Sequence, residues 1–140
     1  MNDNKRKGNR FEQELSHMLA DNRFWVHVFQ QNKSGQPADL IAVKGNYHTL
    51  IDCKLKLSKG GFPLTRIEEN QRYAMTRFSD RSGYTCWFAV KMPEGDIRFA
   101  NSSMIFYCIN RGMKTLSLDI LRNCMDYDTW LKRMEEICLI

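Results

Sequence analysis

The chain has 140 residues, 43% of them apolar and 26% charged, with a formal net charge of +5. That length suits a single domain with a sizeable core, and the basic balance suits a polyanionic partner without requiring one. No apolar run is long enough to span a bilayer, no signal-peptide core follows the first residues, and the five cysteines (Cys53, Cys86, Cys108, Cys124 and Cys138) form no CxxC pair, so a membrane protein, a zinc ribbon and a disulfide-stapled secreted domain all drop out and a cytoplasmic protein is expected.

Residues 1–10 carry Lys5, Arg6, Lys7 and Arg10 against one acid, Asp3. A solvated terminus and a phosphate-contacting arm fit this stretch equally. From Lys5 to Asp21, Phe11, Leu15, Met18 and Leu19 recur at helical spacing and predict a helix that buries them. Glu12 falls beside Leu19 on one edge of the stripe, free to point past the core toward a sheet. Glu14 falls on the other edge, beside Met18. Arg23 to Gln30 is rich in aromatic and β-branched residues and predicts a strand, with Phe24, Val26 and Val28 on one face and Trp25, His27 and Phe29 on the other.

A polar loop, Gln31 to Pro37, delivers the chain to Asp39. Leu40 to Val43 and Thr49 to Leu55 then read as two strands joined at Lys44-Gly45-Asn46, where Gly and Asn accept positive φ. Alternation places Asp52 and Lys54 on one face of the second strand and Ile51, Cys53 and Leu55 on the other. A carboxylate and an ammonium thus stand side by side, with Asp39 on the neighbouring strand. Two carboxylates on rigid strands suit Mg²⁺, which takes oxygen ligands and keeps several waters. A lysine next to them can orient an attacking water and stabilise charge on a phosphate. An amphipathic hairpin with a wet polar face gives the same pattern without chemistry.

After Lys56 the glycines Gly60 and Gly61 mark a loop. Thr65-Arg66-Ile67-Glu68 reads as a capping box opening a helix to about Ser79, with Ile67, Tyr73 or Ala74, and Phe78 toward the core. Tyr84 to Met92 predicts a central strand, apolar on both faces. Pro93 to Asp96 is a turn, Ile97 to Ala100 a partner strand, and Ser102 or Ser103 the cap of a short helix through Tyr107. Arg111 to Leu121 is ambiguous, its Lys114–Leu118 part alternating like an edge strand. Tyr127 to Ile137 predicts an amphipathic helix presenting Tyr127, Trp130, Leu131, Met134 and Ile137, to the sheet or to a partner subunit.

Pro37-Ala38-Asp39 followed by Asp52-Cys53-Lys54 resembles the two half-motifs of the PD-(D/E)xK nuclease superfamily. More specifically, the chain resembles Holliday-junction resolvases of the RecU and archaeal Hjc kinds over roughly residues 5–110. Lys7-Gly8-Asn9-Arg10-Phe11-Glu12 is similar to their K-G-x-x-x-E helix. Ser34-Gly35 before Pro37-Ala38-Asp39 is similar to their serine-containing loop, and Phe62-Pro63-Leu64 with Gln71 is similar to the F-P-L segment and helical Gln of RecU. Two departures stand out: Asp52 replaces the usual Glu of Glu-x-Lys, and only 26 residues separate Glu12 from Asp39, too few for the RecU stalk. The compact form suits a phage version.

The resemblance implies an α/β fold, a restriction-endonuclease-like core with a mixed central sheet flanked by helices, as one nuclease domain over 1–140 with its basic arm at about 1–10. It implies a Mg²⁺-dependent endonuclease (Mn²⁺ substituting) that resolves branched DNA to 5′-phosphate and 3′-hydroxyl ends, in bacterial or phage-infected host cytoplasm. Glu12, Asp39, Asp52 and the Cys53 carbonyl would hold metal, Lys54 would position water and Gln71 would orient it or the phosphate. Lys5, Arg6, Lys7, Arg10, Lys33, Ser34, Lys56 and Lys59 are the candidate DNA contacts. A homodimer is expected, since symmetric cutting needs two sites. Another nuclease of the same fold, or a non-catalytic DNA-binding protein on it, are the alternatives.

Overall fold

The computed structural model describes residues 3–30, 35–56 and 60–138. Its centre is a six-stranded mixed sheet in the order β1-β2-β3-β5-β6-β8. The strands are β1 (Trp25–Val28), β2 (Leu40–Lys44), β3 (Tyr47–Leu55), β5 (Trp87–Lys91), β6 (Ile97–Asn101) and β8 (Met125–Asp126), while β4 (Phe62–Pro63) and β7 (Thr115–Leu116) pair separately. Among the described residues the α-helices are α1 (Asp3–Asp21), α2 (Glu69–Ser82), α3 (Ser102–Asn110), α4 (Leu118–Arg122) and α5 (Tyr127–Cys138). None is long and apolar enough to cross a membrane, among the described residues.

Alternation along the strands builds two cores. Leu40, Ile51, Trp87, Ala89 and Phe99 face α1 and α5, where Phe11, Leu15, Leu19, Trp130 and Met134 meet them. Leu50, Phe88, Val90 and Ala100 face the other side, against Ile67, Met75 and Ile105. The sheet is therefore covered on both sides, which explains the apolar run through β5. Trp130, fully buried, stacks on Phe99 at 4.3 Å between centroids and meets Trp87 edge-on at 6.3 Å. Of the two predicted destinations for the last helix, its buried stripe goes to the sheet of its own chain.

The β2–β3 hairpin forms as predicted. Lys44 pairs with Tyr47, leaving a two-residue turn in which Gly45 adopts φ 58°, the positive value such turns require. β3 then runs parallel to β5, with Asp52 opposite Phe88. A parallel pair needs a long crossover, here residues 56–86, which carries α2 across the face that presents Asp52.

Three local expectations are corrected. The capping box does not form: Leu64–Arg66 is a 3₁₀ turn, Ile67 is extended, and α2 begins at Glu69 with Glu68 as an N-cap lacking a side-chain bond. Leu64 and Ile67 are both buried in the second core. Tyr73 is 63% exposed while Met75 is buried, because the later start rotates the buried stripe of α2 onto Gln71 and Met75. The cap of α3 is Asn101, whose side chain accepts from the Ser103 and Met104 N–H groups, and the helix runs on to Asn110. The ambiguous stretch holds both β7 and the short helix α4, capped by Ser117.

Candidate active site

Asp39 sits just before β2, pinned from two sides. Its carbonyl accepts from the Phe29 N–H at 2.9 Å and its N–H donates to the Ile51 carbonyl at 3.2 Å. Its Oδ2 accepts from the Cys53 N–H at 2.7 Å. The hairpin register that pairs Leu40 with Ile51 thereby sets Asp39 next to Asp52. Asp52 is 2% exposed, and Lys54 Nζ lies 2.8 Å from its Oδ2. That oxygen accepts no hydrogen bond of good geometry, so the lysine contributes charge more than direction. From α2, Gln71 donates through Nε2 to Asp52 Oδ1 at 2.5 Å.

Glu12 joins the group from α1, half-buried and in hydrogen-bond contact with Asp39. Burial pushes Asp39 up to about 8, and the charges of Asp52 and Glu12 add to the shift. Burial also raises Glu12, again helped by Asp52. Without a cation, Asp39 keeps a proton at neutral pH and shares it with its neighbours. Burial first, then the surrounding carboxylates, holds the Cys53 thiol well above its ordinary range.

A divalent cation fits this donor set. Three carboxylates press together at the cost of a retained proton, and a buried carboxylate oxygen of Asp52 lacks a directed partner. Among the described residues, no three His, Cys, Asp or Glu side chains are arranged as a ready metal cage.

Glu12, Asp39, Asp52, Lys54 and Gln71 thus meet in one place. Lys5, Arg6, Lys7 and Arg10 lie on the first turns of α1. Lys33, Ser34 and Lys59 lie outside the described residues. Lys56 is only 5% exposed and lines a cavity between α1 and the ends of β3 and β5. Two nearby features went unread in the sequence. Glu14 is paired with Lys91 at 2.5 Å, and Arg66 Nη1 donates to the Leu55 carbonyl at 3.0 Å. A lone lysine closing the apolar run of β5 was the only signal for the first, and nothing local signals the second.

The family model for archaeal Holliday junction resolvase (hjc) matches residues 3–136. No curated protein matches the chain. Among solved structures, that of Hjc from Archaeoglobus fulgidus, a Holliday junction resolvase from an archaeal hyperthermophile, is similar with a TM-score of 0.54 at 23% identity, covering 70% of this chain and 75% of that one. The likeness shows a shared fold, with its mixed sheet flanked by helices.

Proposed function

The chain belongs to the archaeal Hjc family of Holliday junction resolvases, and on that premise we propose that it is a metal-dependent endonuclease that resolves four-way DNA junctions to 5′-phosphate and 3′-hydroxyl ends. The observation that carries the reading is the convergence of Glu12, Asp39 and Asp52 with Lys54, whose Nζ is 2.8 Å from Asp52. Glu12, Asp39, Asp52 and the Cys53 carbonyl would hold Mg²⁺, with Mn²⁺ able to replace it. The cation would supply Lewis-acid charge to the scissile phosphate and lower the pKa of a bound water.

The remaining work falls to the chain. Lys54 brings a positive charge to the place where the phosphate gains negative charge, and its ammonium can hold the attacking water in line. Gln71 fixes the Asp52 carboxylate in one rotamer. The Cys53 N–H does the same for Asp39, and the two strands hold the carboxylates in register. Lys5, Arg6, Lys7 and Arg10 give the approaching duplex a basic helix end to contact. Lys33, Ser34, Lys56 and Lys59 are further proposed DNA contacts.

Two nicks placed symmetrically across a junction need two sites, so the acting species is a homodimer about a two-fold axis. Sedimentation of the protein, free and on a junction, reads this directly, and a strict monomer in both states contradicts it. The activity is tested on labelled four-way junction, flap, linear duplex and single strand, with and without Mg²⁺. Symmetric, Mg²⁺-dependent nicking of the junction is expected. Preference for flap or linear duplex would make this a different nuclease of the same fold. Junction binding without any cutting would make it a non-catalytic DNA-binding protein.

A further inference from the structure

Beyond the carboxylate site, a cavity of about 310 Å³ opens between α1 and the carboxyl ends of β3 and β5. We propose that this cavity takes one unpaired nucleotide of the junction, its base against the half-buried Leu55 and the exposed Pro93 and its phosphate on Lys7, Arg10 and Lys56. The inference rests on the resolvase reading and extends it to how a branch point is told from plain duplex.

Position links the cavity to the chemistry. Phe11 directly precedes Glu12, and Leu55 and Lys56 directly follow Lys54. Leu55 stands in register with Lys91 across the parallel strands, and the Lys56 N–H donates to the Lys91 carbonyl at 2.9 Å. The cavity thus adjoins the site in sequence on both walls, with Leu55 on the opposite sheet face from Asp52 and Lys54. The carboxyl ends of neighbouring parallel strands are where open α/β sheets place ligands.

Its chemistry selects an anion with an apolar part. The lining holds four cations and one carboxylate, Glu14, and Glu14 is committed to Lys91 at 2.5 Å. Lys91 also sits over the Phe11 ring, 5.8 Å from its centroid. Lys56 is 5% exposed and lines the cavity. A lone phosphate would need no apolar walls. The volume lies at the lower end of small-molecule sites, about 300–1,000 Å³, room for a nucleotide but not for a stacked base pair. Bases leave the stack most readily where pairing is already interrupted, which is the condition at a branch point.

The test uses four-way junctions carrying 2-aminopurine either at the branch point or well inside one arm, bound to the whole protein in EDTA so that nothing is cut. At saturation, confirmed by gel shift, the branch-point probe should change its emission at least twofold and the arm probe should not. Lys56→Met keeps the buried stem and removes the charge. It should reduce that change and weaken junction binding at least tenfold more than duplex binding. Arg10→Met, at an exposed position of α1, provides the same reading should Lys56→Met fail to fold. Identical behaviour of the two probes in the wild-type complex overturns the proposal. So does equal weakening of junction and duplex binding, which would mark a backbone-phosphate contact only. Mg²⁺-dependent junction cutting by the same preparation is scored separately, so that cutting with unchanged probes refutes the nucleotide cavity and leaves the resolvase reading standing.

Discussion

Gln71 is the residue whose sequence context says least and whose structural position says most. It is 8% exposed, and its Nε2 reaches Asp52 Oδ1 at 2.5 Å. Gln71→Met keeps length and volume but removes the donor. A hydrogen bond to a charged group is worth about 1.5–3 kcal/mol. Asp52 is itself 2% exposed, so water does not replace the lost partner and the cost falls in the upper half of that range, about 2–3 kcal/mol. For a domain of this size that is roughly a 5–12 °C drop in Tm. Urea and thermal unfolding of the metal-free protein measure it. A double-mutant cycle with Asp52→Ala should show a coupling of about 1 kcal/mol or more, while junction cutting falls through kcat more than KM because the DNA contacts are untouched. A stability within 0.5 kcal/mol of wild type, or no coupling to Asp52, would refute the claim that Gln71 orders the site.

Three other outcomes follow from the same structure. Arg23 closes α1 with φ 71°, a left-handed position where a side chain is strained and glycine is not, so Arg23→Gly should add about 0.5–1 kcal/mol of stability by urea unfolding; a loss would show that the arginine side chain offsets the strain. Asp39 holds its proton up to about pH 8 in the fold but releases it near its usual 3.8 when unfolded. Its contribution to the stability of the metal-free protein is therefore complete below about pH 4 and is lost as pH rises toward 8, and Mg²⁺ should reverse that loss while releasing protons. Tm scans in EDTA from pH 5 to 8 check the sign, and a rising Tm would contradict it. Replacing Lys5, Arg6, Lys7 and Arg10 by Ala should weaken binding to all DNA sequences alike and shrink the salt slope of log K by roughly 0.9 per lost phosphate contact; an unchanged slope would mean this end of α1 makes none.

The parts of the fold governed by local periodicity were readable in the chain. The α1 stripe, the β2–β3 hairpin and the alternation that sets Asp52 beside Lys54 each depend on residues a few positions apart, and each formed as its spacing requires. Gln71 entered the site through the resemblance; its contact with Asp52 spans 19 residues, a distance at which a lone helical glutamine carries no pattern. The start of α2 was misread because Thr65 and Glu68 satisfy a local rule, whereas Leu64–Arg66 closes as a 3₁₀ turn and Ile67 is extended. The small β4–β7 pair joins segments more than 50 residues apart, and two residues per strand are too few for any period to register. The pairing of Glu14 with Lys91 spans 77 residues and was invisible for the same reason. The resemblance brought Glu12 into the site, since its periodicity gave only a direction. The contact with Asp39 gives it a partner.

The central claim is that Asp52, beside Asp39 and Lys54, cuts junction DNA. Asp52→Asn tests it most directly, because the amide keeps an oxygen for Gln71 and changes little but the charge. The measurement is cleavage of a labelled four-way junction in Mg²⁺ by the variant, shown by circular dichroism and gel shift to be folded and to bind the junction. The account predicts binding close to wild type and no detectable cutting. Wild-type cutting by the folded variant would contradict it.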